Sequence, residues 1–197
     1  MDHRYEKLAA TLVYHSTKLN AGEKVLIHAF DIPQDMTMAL IRAVRECNAL
    51  PFVQVQNGRI DRECILGAET VQLETSLKWE MERMKSMDAY IAIRGSQNVF
   101  ENSDLPQEDL NRAMKILKPV LDWRVQKTKW CVLRWPTSSM AQQAKMSSEA
   151  FENFYFDACC MDYGRMSEGM EHLKNRMRCA DRVKITGPGT DLSFSIK

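Results

Sequence analysis

Two rhythms of apolar residues alternate along the chain, and their order predicts the fold class. Tyr5, Leu8, Leu12, His15 and Leu19 recur at spacings of three and four, the pattern of an amphipathic helix over 5–19. Asn20-Ala21-Gly22 ends it, and the apolar run Lys24–Phe30 predicts a buried strand. Pro33 opens a second helix that sets Met36, Leu40, Ile41, Val44 and Cys47 on one face. A second strand over 51–56 is closed by Asn57-Gly58, and a long helix runs from there to about Met87. Residues 89–93 form the third strand. The next helix, after Asn102–Pro106, carries Leu110, Met114, Leu117 and Leu121, and Pro119 within it is expected to kink or divide it. The fourth strand spans 129–135 and is stopped by Pro136. Helical stretches near 138–146 and 148–161 follow, then a last helix with Met166, Met170, Leu173 and Met177 on one side.

Strands that alternate with helices of a dozen or more residues imply parallel β-α-β units. The expected fold is therefore α/β, a doubly wound, mostly parallel sheet with helices on both faces. The rhythm changes only at the end, where Arg182–Thr186, the turn Gly187-Pro-Gly-Thr190 and the alternating run Asp191–Ile196 have no helix between them. Two strands with one apolar face are marginal alone. The expected division is residues 1–180 for the α/β domain and 181–197 for the first strands of a second, truncated domain. Those last residues are expected to be poorly covered, or paired with a neighbouring molecule.

Charge removes two function classes. Lys plus Arg number 27 against 26 Asp plus Glu, which leaves no basic field for nucleic acid or an anionic membrane. The longest apolar run, Ala89–Ile93, is far shorter than a membrane span needs, and the first residues lack the apolar stretch of a signal peptide. A soluble, cytoplasmic protein is expected. Six cysteines, Cys47, Cys64, Cys131, Cys159, Cys160 and Cys179, show no C-x-x-C spacing, so the reading is reduced, buried thiols rather than a zinc or redox motif.

Few residues carry candidate chemistry. Gly187-Pro-Gly-Thr-Asp-Leu192 matches half of a dinucleotide fingerprint, but it leads into a strand, so no helix N-terminus awaits a pyrophosphate. No phosphate-binding loop, nucleophile elbow or H-E-x-x-H pair occurs. His15 on its apolar stripe reads as a core histidine, and Glu168 with His172 as a surface pair. His28 and Asp31 are placed at the carboxyl end of the first strand, the edge where open α/β sheets bind ligands. Arg94, in Arg94-Gly-Ser-Gln-Asn98, and Trp135, Thr137 and Ser138, in Trp135-Pro-Thr-Ser-Ser139, are expected at the same edge after the third and fourth strands. These six are the substrate-cleft candidates, with Thr137 or Ser138 alternatively a helix cap.

Three stretches in order resemble the aminopeptidase T family of two-metal metallopeptidases. They are Tyr5-Glu-Lys-Leu-Ala through Leu19-Asn-Ala-Gly-Glu-Lys-Val-Leu-Ile27, then Trp135-Pro-Thr-Ser-Ser-Met-Ala-Gln-Gln-Ala-Lys-Met-Ser147 with Glu149-Ala-Phe-Glu-Asn-Phe154, and Val183-Lys-Ile-Thr-Gly-Pro-Gly-Thr-Asp-Leu192. The resemblance implies an enzyme that removes amino-terminal residues from peptides with two divalent metal ions, zinc, cobalt or similar, with a homodimer as one expected assembly. It also implies that the metal ligands follow the last stretch, in a carboxyl-terminal catalytic domain. No metal ligand or catalytic base is therefore assigned within these residues, and the chain itself is expected to be inactive. The alternative is a stand-alone, non-catalytic α/β module that binds a ligand or a protein.

Overall fold

The structure, a computed structural model, describes residues 2–197 and divides into two compact units, Met1–Cys160 and Met161–Lys197. The first is built on a four-stranded parallel sheet: β1 (Lys24–Phe30), β2 (Leu50–Gln56), β3 (Ala89–Arg94) and β4 (Lys129–Arg134), in the order β2-β1-β3-β4. The central strands β1 and β3 carry the continuous apolar runs, as parallel strands covered on both faces require. Pro51, which cannot donate to a ladder, lies in the edge strand β2.

Register decides what each face offers. Val25, Ile27, Ala89, Ile91 and Ile93 point to one side, into a core shared with α1 (His3–Ala10), α2 (Gln34–Glu46) and α7 (Ser148–Cys159). Burying each of these valine and isoleucine side chains contributes about 1.5–3 kcal/mol. Arg4 helps seat α1 on α7: its guanidinium donates to Glu152 at 2.6 Å and to Asn153 at 2.8 Å, and lies 4.7 Å over Phe156. On the opposite face Leu26 and Tyr90 are apolar neighbours, packed with Met84 of α4 (Thr70–Lys85) and Val120 of α5 (Gln107–Lys127). Toward the carboxyl ends this second face turns polar. His28 lies beside Gln54, and Phe30 beside Gln56 and Arg94.

Several helices depart from the expected pattern. The helix over 5–19 becomes a π-helix at Thr11–Ser16, so the stripe shifts to Leu12, Val13 and Thr17, and His15 is exposed rather than in the core. The long helix before β3 is two helices, α3 (Gly58–Ile65) and α4, because Gly67 takes φ +66 and stops the first. Pro119 does not divide α5, a 21-residue helix. Pro119 is exposed, and so is Lys115, whose carbonyl would otherwise accept from the N–H that proline lacks.

The second unit holds α8 (Tyr163–Cys179) and the antiparallel hairpin of β5 (Arg182–Gly187) and β6 (Thr190–Ser195). Along the hairpin Ile185, Leu192 and Phe194 remain about half exposed, as expected for a poorly covered pair. All six cysteines are free. Cys160 is buried, but Cys64 and Cys179 are exposed, contrary to the expectation of six buried thiols. No helix among the described residues is long and apolar enough to cross a membrane.

Candidate functional site

Strand order alone singles out one edge. The chain leaves β1 toward β2 on one side and returns to β3 on the other, so the loops after β1 and β3 diverge at a switch point. There Asp31 follows β1 with φ +50, a left-handed conformation that Asp tolerates better than most residues. Its carboxylate accepts from Asn57 Nδ2 and from the Gly58 amide, both at 2.7 Å, so it ties the loop after β1 to the start of α3. Asp31→Ala leaves both donors unpaired and should cost about 1–3 kcal/mol in urea unfolding, whereas Asp31→Asn, which keeps an acceptor and tolerates the same φ, should cost less. Equal losses in the two variants would contradict this role.

After β3 the backbone passes close to β1. Gly95 N–H donates to the Phe30 carbonyl at 2.7 Å, and the Ser96 carbonyl accepts from Thr137 Oγ at 2.8 Å and Ser139 Oγ at 2.5 Å. Thr137 occupies the N-cap position of α6 (Ser138–Gln143) without making a side-chain cap bond; its hydroxyl is spent across the cleft floor instead. Trp135 is 7% exposed and wedged among Tyr5, Tyr155 and Phe156, with ring centroids 5.3–6.4 Å away. Tyr155 in turn donates its hydroxyl to the Arg134 carbonyl at 2.6 Å, and burial pushes that phenol far up.

Two clefts flank Asp31. One, of about 320 Å³, is lined by Asp31, Asn57, Arg94, Ser96 and Arg134. The other, of about 400 Å³, is lined by Asp31, Gln97, Trp135, Thr137 and Ser138. The structure thus gathers five of the six candidates at one edge, with Asp31 common to both clefts. Ser138 is the exposed member of its loop. Asn57, Ser96 and Gln97 were not singled out from the sequence; only their places just after predicted strands marked them.

His28 is the sixth, and it lies elsewhere. Two residues short of the end of β1, it faces α4 and α5 rather than the edge. Gln56 Nε2 donates to Asp61, so its Oε1 must accept from His28 Nε2–H, at 2.5 Å. His28 Nδ1 is then left to accept from the Tyr90 hydroxyl at 2.8 Å. Burial pushes this imidazole down; the Gln56 bond opposes the shift, and Arg94, Arg124 and Arg83 add to it. Burial also pushes the Asp61 carboxyl up, opposed by its Gln56 bond.

The sign of the linkage follows. A histidine whose folded value is depressed contributes stability present above 6.5, its ordinary value, and lost as pH falls through the folded value. Asp61, raised in the fold, works in the opposite direction as pH rises through its folded value. Between about pH 7.5 and about pH 5.5 the urea midpoint should therefore fall more steeply in the native chain than in His28→Gln. Parallel curves would remove His28 from the acid response.

The fold and the cleft edge define an α/β domain that presents polar loops at a sheet switch point. The sequence profile of the thermophilic metalloprotease (M29) family matches residues 1–197, and the chain belongs to that family. Among solved structures it is similar to wild-type AmpT from Thermus thermophilus, with a TM-score of 0.73 at 20% identity. That match covers 98% of this chain and 53% of the AmpT chain, so this chain spans about half of its relative's length. At that identity the likeness establishes the fold. VinN is more distant, with a TM-score of 0.33 at 10% identity over 80% of this chain and 27% of that one. No curated protein matches.

A metalloprotease family implies metal ions, and the donor set tests whether they fit here. No group of three or more His, Cys, Asp or Glu among the described residues is placed to hold an ion. The edge cleft is lined by the carboxylates of Asp31, Asp61 and Glu101, but Asp31 already accepts from Asn57 and Gly58, and Asp61 from Gln56. These residues do not fit a two-metal centre, which needs several carboxylate and imidazole donors converging on ions about 3.5–4 Å apart.

Proposed function

We propose that this chain is the amino-terminal α/β part of a metal-dependent aminopeptidase that removes amino-terminal residues from peptides. The observation that carries the reading is the family match across all 197 residues. The chain contributes a rigid parallel-sheet scaffold and one wall of the substrate cleft, formed by Asp31, Arg94, Thr137 and Ser138, with Trp135 anchoring the loop from below. Metal ligands come from outside residues 1–197, and residues 181–197 begin the domain that bears them. A homodimer in the cytoplasm is part of the same reading, and the free state of all six cysteines is consistent with a reducing compartment.

Arg94 gives the wall its chemistry. Its guanidinium makes no hydrogen bond or ion pair among the described residues, so a half-buried positive charge is held ready beside the cleft. The test is hydrolysis of leucine p-nitroanilide by the enzyme that carries this chain as its amino-terminal part, with zinc or cobalt supplied and then chelated. Turnover that needs the metal, with KM raised about tenfold by Arg94→Gln, is the expected result. Turnover that survives chelation would defeat the metallopeptidase reading, and an unchanged KM would remove Arg94 from the wall.

A further inference from the structure

Beneath the polar half of the second sheet face lies a half-open pocket of about 540 Å³, bounded by that face and by α3, α4 and α5. It is larger than either edge cleft and within the range of small-ligand sites. Its apolar side is built by Leu26, Leu73, Met84, Leu117 and Leu121. Its polar side is built by the Tyr90–His28–Gln56–Asp61 chain of hydrogen bonds together with Arg94 and Arg124.

The two arginines are the unusual part. Arg124 stacks its guanidinium over the Tyr90 ring at 4.5 Å, and its buried Nε–H has no partner. Neither Arg124 nor Arg94 forms an ion pair among the described residues, although both are half-buried. Charged groups removed from water are ordinarily paired, since burial otherwise costs several kcal/mol. Two acidic side chains also line the space. Glu80 is already 3.5 Å from Arg83, and Asp61 accepts from Gln56 rather than from either arginine. Arg94 and Arg124 set against Asp61 alone leave one positive charge unanswered, which calls for a single negative charge carried on an apolar body.

We propose that this pocket binds a small organic carboxylate with a branched or linear apolar tail. The carboxylate meets Arg124 and Arg94, and the tail lies against Leu73, Met84, Leu117 and Leu121. The site shares Arg94 with the proposed cleft wall, but Arg124 and the apolar lining belong to it alone, so its test does not depend on the peptidase reading. Tyr90 and His28 are held by their own bonds, so they present a fixed wall rather than competing donors.

The test is a nuclear magnetic resonance titration of the 197-residue chain with 4-methylpentanoate, read at the ring signals of His28, beside 4-methylpentanamide, which keeps the skeleton without the charge. Saturable shifts with a dissociation constant of about 1 mM or tighter are expected, with the amide at least about tenfold weaker. Arg124→Gln should weaken the carboxylate about tenfold, and Arg124→Lys should retain most of the binding. If Arg124→Gln does not fold, the comparison of carboxylate and amide on the native chain decides alone. Shifts that fail to saturate, an amide that binds as well as the acid, or binding unaffected by a folded Arg124→Gln would overturn the proposal.

Discussion

Trp135→Ala is expected to destabilise the chain by about 3–5 kcal/mol in urea unfolding, the loss typical of deleting a buried indole. The ring is 7% exposed and edge-on to Tyr5, Tyr155 and Phe156, so its removal opens a cavity where α1, β4 and α7 converge. Three residues on, Ser138 is exposed, and Ser138→Ala should change stability by no more than about 0.5 kcal/mol. The contrast separates an anchor of the loop from a surface that can meet a ligand. A loss below about 1 kcal/mol for Trp135→Ala would show that the aromatic cluster is not the anchor.

Gly95→Ala should be nearly as costly, about 3 kcal/mol or more, for the opposite reason. A Cβ at this position would sit 2.3 Å from the Asp31 carbonyl oxygen and 3.1 Å from its carbonyl carbon, with the Phe30 oxygen at 3.4 Å. All three are backbone atoms, so no side chain can swing away, and the loops after β1 and β3 must separate. The hydrogen bond from Gly95 N–H to Phe30 O is expected to break with them. Thermal unfolding midpoints read beside those of Gly169→Ala, a helical glycine with open space around it, isolate the steric effect. Similar midpoints in the two variants would mean that the switch point yields without strain.

The sheet was legible because its strands are short apolar runs bounded by Gly, Pro and Asn. The strands begin and end within one residue of where Lys24–Phe30, 51–56, 89–93 and 129–135 placed them. Helix detail was harder. Nothing in the spacing of Tyr5, Leu8, Leu12 and His15 reveals a π-turn, which moves every later residue around the axis and turns His15 outward. Gly67 falls inside the single long helix expected before β3, and its positive φ ends α3 there.

The site divides along the same line. Residues just after a predicted strand could be assigned to the sheet edge, and Asp31, Arg94, Thr137 and Ser138 are there. Trp135 belongs to the same loop, but its ring turns inward, and a side chain's direction at a strand end depends on what packs beneath it. His28 was assigned to the edge with them, but it lies two residues before the end of β1 and faces α4 and α5. Only the parallel register, which puts Gln54 beside it and Gln56 with Arg94 on the same face, reveals a polar surface under α4 and α5.

The claim that residues 1–197 supply scaffold and cleft wall, and not the metal centre, is tested most directly by calorimetric titration of zinc into the purified chain, with a leucine p-nitroanilide assay on the same sample. The described residues bring no three potential ligands together, so no stoichiometric binding at micromolar zinc and no turnover are expected. Tight, stoichiometric zinc binding with hydrolysis abolished by a chelator would contradict the claim and locate the catalytic centre within this chain.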